Sequence, residues 1–102
     1  MSQQQLQPVR GTKDIFAEVL AVHQYIIEAA RRKGLNYGCQ EMITPIFEYS
    51  EVFYRTLGES SDIVSKETYT FLDRDKSSIT LRPEFTAAVV RAFISNGLSQ
   101  SI

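Results

Sequence analysis

An α+β fold, a mixed or antiparallel sheet with helices packed against it, is what three features of this 102-residue sequence predict. A 3.6-residue apolar period runs through the first third, two β-rich segments flank a cluster of turn residues in the second half, and another helical period follows Pro83. At this length folding hides roughly 60 to 70% of the extended chain's surface, enough for one core and one domain spanning residues 1–102.

From Asp14 to Lys33 the residues Ile15, Val19, Val22, Ile26 and Ala29 or Ala30 recur every three or four positions, which is one face of an α-helix. Asp14 is placed to cap it. Arg31, Arg32 and Lys33 crowd the last turn before Gly34, as the helix dipole and a left-handed glycine cap favour, so they read as a helix end rather than a phosphate patch. Gly34 to Gly38 is a turn, and Gln40 to Phe47 is extended but interrupted by Pro45. Proline removes a ladder donor, so this strand is an edge, a bulge, or a strand whose partner lies on another subunit.

Ser50 caps a short helix through Leu57, closed by Gly58, with Val52, Phe53 and Leu57 as its buried side. Ser60 to Lys66 is a polar loop. Thr68 to Leu72 and Ile79 to Arg82 form a hairpin around Asp73 to Ser78. Pro83 opens the last helix, whose buried stripe is Phe85, Ala88, Val89 and Ala92 or Phe93, and Asn96 with Gly97 ends it. With no strand after that helix to complete the sheet, the chain reads as a fragment.

Charge is uninformative: 11 Lys and Arg against 12 Asp and Glu leave no basic footprint for nucleic acid. No run approaches the ~20 apolar residues of a membrane span, and the first residues lack the layout of a signal peptide, so a cytoplasmic protein is expected. One cysteine, Cys39, and one histidine, His23, supply neither a disulfide nor a zinc site. Phosphate-loop, dinucleotide-fingerprint and nucleophile-elbow motifs do not occur. His23, beside the apolar stripe of the first helix, reads as structural. Glu59 and Asp62 lack metal-ligand spacing, and no metal site is expected.

Glu84 stands out because it follows a strand end and Pro83. A carboxylate there can accept from a ligand's ammonium group, with the Thr86 hydroxyl two steps later and the Arg82 cation two steps earlier. It can equally serve a helix's positive end, by roughly 0.3 to 1 kcal/mol. The residues by themselves leave both readings open.

Four segments in order resemble the N-terminal part of the histidyl-tRNA synthetases, a class II family: Val9-Arg10-Gly11-Thr12-Lys13-Asp14; Tyr37-Gly38 through Thr44-Pro45-Ile46; Gly58-Glu59-Ser60-Ser61-Asp62-Ile63-Val64-Ser65-Lys66-Glu67 running into Tyr69-Thr70-Phe71; and Thr80-Leu81-Arg82-Pro83-Glu84-Phe85-Thr86. The resemblance implies a partial class II catalytic fold. In it, residues 14–48 are motif 1, which pairs two subunits through Thr44, Pro45 and Ile46, and residues 80–86 belong to the histidine pocket. It further implies that Glu84 and Thr86 bind the α-ammonium group of histidine and that Arg82 supports the same region.

The family activates histidine with ATP and Mg²⁺, giving histidyl-adenylate and pyrophosphate, then acylates its tRNA. The remaining nucleotide and tRNA machinery of the family has no counterpart in this sequence, so no catalytic residue is assigned here and the piece alone is expected to be inactive and to bind neither ATP nor Mg²⁺ by itself. The alternatives are a non-catalytic, synthetase-like regulatory subunit of ATP phosphoribosyltransferase and an unrelated interaction domain. Phe85 stands where the family often has glycine, and Ile15-Phe16-Ala17 lacks a proline common there. Phe85 is expected to join the apolar stripe of its helix.

Overall fold

The computed structural model describes residues 5–57 and 67–98, the side chains of residues 56 and 57 excepted, and the chain divides into two compact units, residues 1–41 and 42–102. The first unit is built on helix α1 (Ala17–Asn36). It starts three residues later than a cap at Asp14 predicts: Phe16 is the N-cap, in extended conformation and without a side-chain cap. It also ends later. Gly34 stays inside the helix, while the Gly38 N–H donates to the Leu35 carbonyl at 3.0 Å and the Cys39 N–H to the Gly34 carbonyl at 2.8 Å. This pair of backward bonds is a Schellman closure and needs a left-handed residue at its centre, a role Gly38 fills with φ 80°.

Arg31 braces that end. Its Nε and its second terminal nitrogen donate to the two oxygens of Glu41 at 2.7 and 3.2 Å, and its first to Glu28. The bond from Arg31 holds the Glu41 carboxyl below its ordinary range, and the same bonds raise the guanidinium. No residue of α1 is buried, and His23 is exposed on it.

The second unit contains an antiparallel sheet of strands β1 (Phe47–Tyr49), β2 (Thr70–Leu72) and β3 (Ser78–Leu81), in the order β1-β3-β2. The expected antiparallel arrangement is present, with Glu48 and Thr70 both opposite Thr80. β1 lies later than the extended segment predicted from Gln40. Pro45, having no N–H, precedes the ladder, whose outermost bond runs from the Arg82 N–H to the Ile46 carbonyl at 3.0 Å. The hairpin turn closes through the Asp73 N–H to the Ser77 carbonyl at 2.8 Å, with Lys76 at φ 70°. Within it, hydrogen bonds from Ser77 hold the Asp75 carboxyl below its usual range.

Helix α2 (Ser50–Leu57) follows β1 directly and buries Phe53 completely. Helix α3 (Thr86–Ser95) closes the unit. The apolar core is small: Phe53, Ile79, Ala87, Ala88 and Ala92. Hydroxyls extend it. Ser50 Oγ is 2.6 Å from Ser78 Oγ and 2.7 Å from Thr80 Oγ1, which in turn is 2.9 Å from Thr70 Oγ1. Because each hydroxyl can both donate and accept, such a chain satisfies its own buried members.

α3 is rotated from the expected stripe. Ala88 and Ala92 are buried as predicted, but Val89 is exposed, Phe85 is 60% exposed, and Ala87 lies inside instead. The cause is Arg91. Its guanidinium meets Glu48 on β1 in a bidentate pair, Nε to Oε1 and NH2 to Oε2, both at 2.8 Å, while NH1 donates to Ser95 Oγ at 3.0 Å. The Glu48 side chain is 6% exposed and that of Arg91 30%. The bond to Glu48 pushes the guanidinium above its ordinary pKa against the cost of desolvation.

Removing one partner of such a pair strands the other's charge. Arg91→Leu is expected to lower unfolding free energy in urea by about 3 kcal/mol, and Glu48→Leu added to it to recover most of the loss. A loss under about 0.5 kcal/mol would place the pair with ordinary surface bridges.

Candidate functional site at the junction of β3 and α3

β3 ends at Leu81, and the next four residues turn the chain into α3. Pro83 has no donor for a continuing ladder and so helps stop the strand. The helix does not open at Pro83, as the sequence predicts, but at Thr86, with Phe85 as N-cap and no cap from the Phe85 side chain. Glu84 performs that task from one residue further out. One carboxylate oxygen accepts the Thr86 N–H at 2.5 Å, and the Ala87 N–H lies 3.2 and 3.3 Å from the two oxygens. These are N–H groups that the helix itself leaves unpaired.

Of the two readings of Glu84 left open by the sequence, this geometry is the helix-end one, and it leaves acceptor positions unused. A carboxylate has about four acceptor positions, and two N–H groups do not exhaust them. Glu84 is half-buried, so the remaining lone pairs face partly reduced solvent, where an ammonium ion would be held more strongly than in water. Thr86 is exposed, two residues away.

Arg82 is half-buried and turns toward β1. Its NH1 donates to the Thr44 carbonyl at 3.1 Å and reaches the Pro45 carbonyl at 3.4 Å, and its guanidinium lies 4.5 Å from the centre of the Phe85 ring. This contact draws Phe85 away from the apolar stripe expected for it. Of the three residues expected at a subunit interface, Pro45 and Ile46 are exposed, whereas Thr44 is 7% exposed and its hydroxyl has no hydrogen-bond partner among the described residues. The polar stretch Gly58 to Lys66 lies outside the described residues.

A separate cleft of about 300 Å³ opens between α2 and α3. Val52, Ala87, Val90 and Ile94 line it with Glu51, Arg55 and Arg91, and none of Arg82, Glu84 and Thr86 does. Sequence reasoning missed Glu48 and Arg91, since a pair formed between a strand and a helix 43 positions apart leaves no local signal. Among the described residues, no three His, Cys, Asp or Glu side chains are grouped to hold a metal ion, and no helix is long and apolar enough to cross a membrane.

Residues 12–100 match the family model described as histidyl-tRNA synthetase. The chain is 54% identical over 99 residues to the histidine–tRNA ligase of Rickettsia akari, covering 97% of this chain and 24% of that protein. It is 58% identical over 97 residues to that of Gluconobacter oxydans, covering 95% and 23%. It thus spans about a quarter of the length of the curated relatives it matches. Among solved structures, apo histidyl-tRNA synthetase from S. aureus superposes with a TM-score of 0.78 at 38% identity, over 93% of this chain and 22% of that one. A Bacillus halodurans protein described as an ATP phosphoribosyltransferase regulatory subunit/histidyl-tRNA synthetase shares the fold, with a TM-score of 0.69 at 24% identity, over 90% of this chain and 23% of that one.

The cap has a measurable weight of its own. Glu84→Ala is expected to destabilise the fold by about 1 kcal/mol in urea unfolding, while Glu84→Gln, which keeps one acceptor oxygen, costs less than half of that. Equal losses would show that the charge, not the hydrogen bonds, serves the helix end.

Proposed function

The chain belongs to the histidyl-tRNA synthetase family, and from that premise we propose that the protein carrying it is a histidine–tRNA ligase to which this segment contributes the grip on the amino acid. The observation that carries the reading is 50 to 58% identity to histidine–tRNA ligases over 95 to 97% of the chain. The placement of Glu84 supports it. The free lone pairs of its carboxylate accept from the α-ammonium group of histidine, and the Thr86 hydroxyl adds a further acceptor. Held at that end, the substrate presents its own carboxylate to the α-phosphorus of ATP. Histidyl-adenylate forms and pyrophosphate leaves, after which the histidyl group passes to a hydroxyl of the terminal ribose of the tRNA and AMP leaves. The nucleotide grip, Mg²⁺ and most tRNA contacts are assigned to the three quarters of the relatives' length that this chain does not match, and the segment alone is not expected to turn over. The reaction belongs to the cytoplasm, where tRNA is charged.

In the whole protein, histidine-dependent pyrophosphate exchange is expected. Glu84→Gln should raise KM for histidine about a hundredfold, the worth of one charge-assisted hydrogen bond in a partly desolvated pocket, with KM for ATP little changed. A folded parent showing no exchange with histidine sinks the assignment.

We also propose that the residues ahead of β1 pair two subunits. Pro45 and Ile46 offer exposed apolar surface next to β1, an edge strand of the sheet among the described residues, and a proline there keeps the sheet from propagating. Thr44 contributes from beneath, through its backbone. Ile46→Asp is expected to convert a dimer into a monomer at micromolar concentration, as read by light scattering. An unchanged dimer would move the interface elsewhere.

A further inference from the structure

Arg82 lies two residues from Glu84, yet it is directed to a different part of the chain. Its N–H closes the β1–β3 ladder at Ile46, its NH1 holds the carbonyls of Thr44 and Pro45, and its planar guanidinium rests on the Phe85 ring at 4.5 Å. One side chain thus grips the two sides of a gap: the segment ahead of β1, and Phe85, the residue between Glu84 and the first turn of α3. Guanidinium suits this task because one edge nitrogen, NH1, lies against both carbonyls while the planar face stacks on a ring, a stack that an ammonium point charge does not make.

We propose that Arg82 is a positioning residue for the amino-acid pocket, fixing the Glu84 carboxylate by clamping the 44–45 backbone to Phe85, and that it makes no contact with the substrate itself. The inference rests on the assignment of Glu84 to the substrate's ammonium group. The clamp restricts the backbone on one side of Glu84 while the Thr86 and Ala87 N–H groups restrict its carboxylate on the other. Without it, the tie between Phe85 and the 44–45 backbone is lost, and the carboxylate samples positions from which it meets an ammonium group poorly. The same clamp links the segment proposed to pair subunits to the pocket.

The two roles open to Arg82 differ in which part of histidine they recognise. A direct ligand would meet the substrate's carboxylate, whereas a positioning residue acts through Glu84 on the ammonium end. Histidinol, the amino alcohol of histidine, keeps the ammonium group and the imidazole and lacks the carboxylate. Calorimetric titration of the whole protein with each compound separates them. Arg82→Ala is expected to weaken histidine and histidinol by the same factor, about tenfold, less than Glu84→Gln because the carboxylate is kept and only its fixed position is lost. Arg82→Lys, which retains charge but not the fork or the stack, should give a smaller and again equal loss. In pyrophosphate exchange the effect should fall on KM for histidine and leave KM for ATP unchanged.

A loss for histidine with none for histidinol makes Arg82 a substrate ligand and overturns the proposal, as does no loss for either. If Arg82→Ala fails to fold, Arg82→Lys and Phe85→Leu decide by the same comparison. Failure of the underlying reading looks different: the unaltered protein then binds neither compound, or Glu84→Gln binds both as well as it does.

Discussion

The bidentate pair between Glu48 and Arg91 sets how α3 sits on the sheet. A carboxylate with a side-chain exposure of 6% must be matched, and the rotation that α3 adopts brings Arg91 to Glu48 on β1. That rotation takes Ala87, Ala88 and Ala92 inside and leaves Val89, Val90 and Ile94 at the surface. It also fixes the position of the helix's first turn, and so the point in space at which the Thr86 and Ala87 N–H groups present themselves to Glu84. The site geometry is thus anchored five residues and more away from the site, by a contact with no chemical part in it.

Such reliance on a polar contact follows from how little apolar material the second unit encloses. Among the described residues, three of its five buried apolar residues are alanines, and only Phe53 is a large apolar side chain fully withdrawn from water. Burial of one phenylalanine is worth about 1.5 to 3 kcal/mol, and alanines add far less. The hydroxyl chain through Ser50, Ser78, Thr80 and Thr70 and the ion pair to Arg91 provide directional constraints where packing alone would leave neighbouring arrangements close in energy. Thr44 is the counterexample, a buried hydroxyl without a partner among the described residues, beside a carbonyl that Arg82 holds.

What the sequence made legible were the elements whose cause is local. Helical periods, a β-rich pair around a turn and proline punctuation point to elements in the order found among the described residues. Their ends were misread wherever the decisive bond reached past the pattern. Gly34 looked like a cap because it follows three cations, but the backward bonds need Gly38. Asp14 has the chemistry of a cap without its position. The buried stripe of α3 slipped because periodicity counts apolar residues and is blind to an arginine that faces inward for a distant carboxylate, and because Phe85 left the stripe for the Arg82 guanidinium. For the site, the importance of Glu84 could be read from its place after Pro83, whereas the partners of Arg82 lie 37 and 38 positions back and could not.

The two readings of Glu84, helix cap and ligand, are not rivals once magnitudes are compared. A glutamate side chain free to rotate gives up about 1.5 to 2 kcal/mol of conformational freedom when a ligand immobilises it, which would offset much of a hydrogen bond's net worth. Here that freedom is already lost to the Thr86 and Ala87 N–H groups, and the cost is carried by folding, which recovers about 1 kcal/mol from the cap in return. A ligand arriving at the unused lone pairs meets a carboxylate that has no further rotamers to surrender, so more of the ion pair survives as affinity. An acid already fixed by a helix end is for that reason a better binding group than the same acid standing free, so the cap at Thr86 and Ala87 does not count against the ligand role proposed for Glu84.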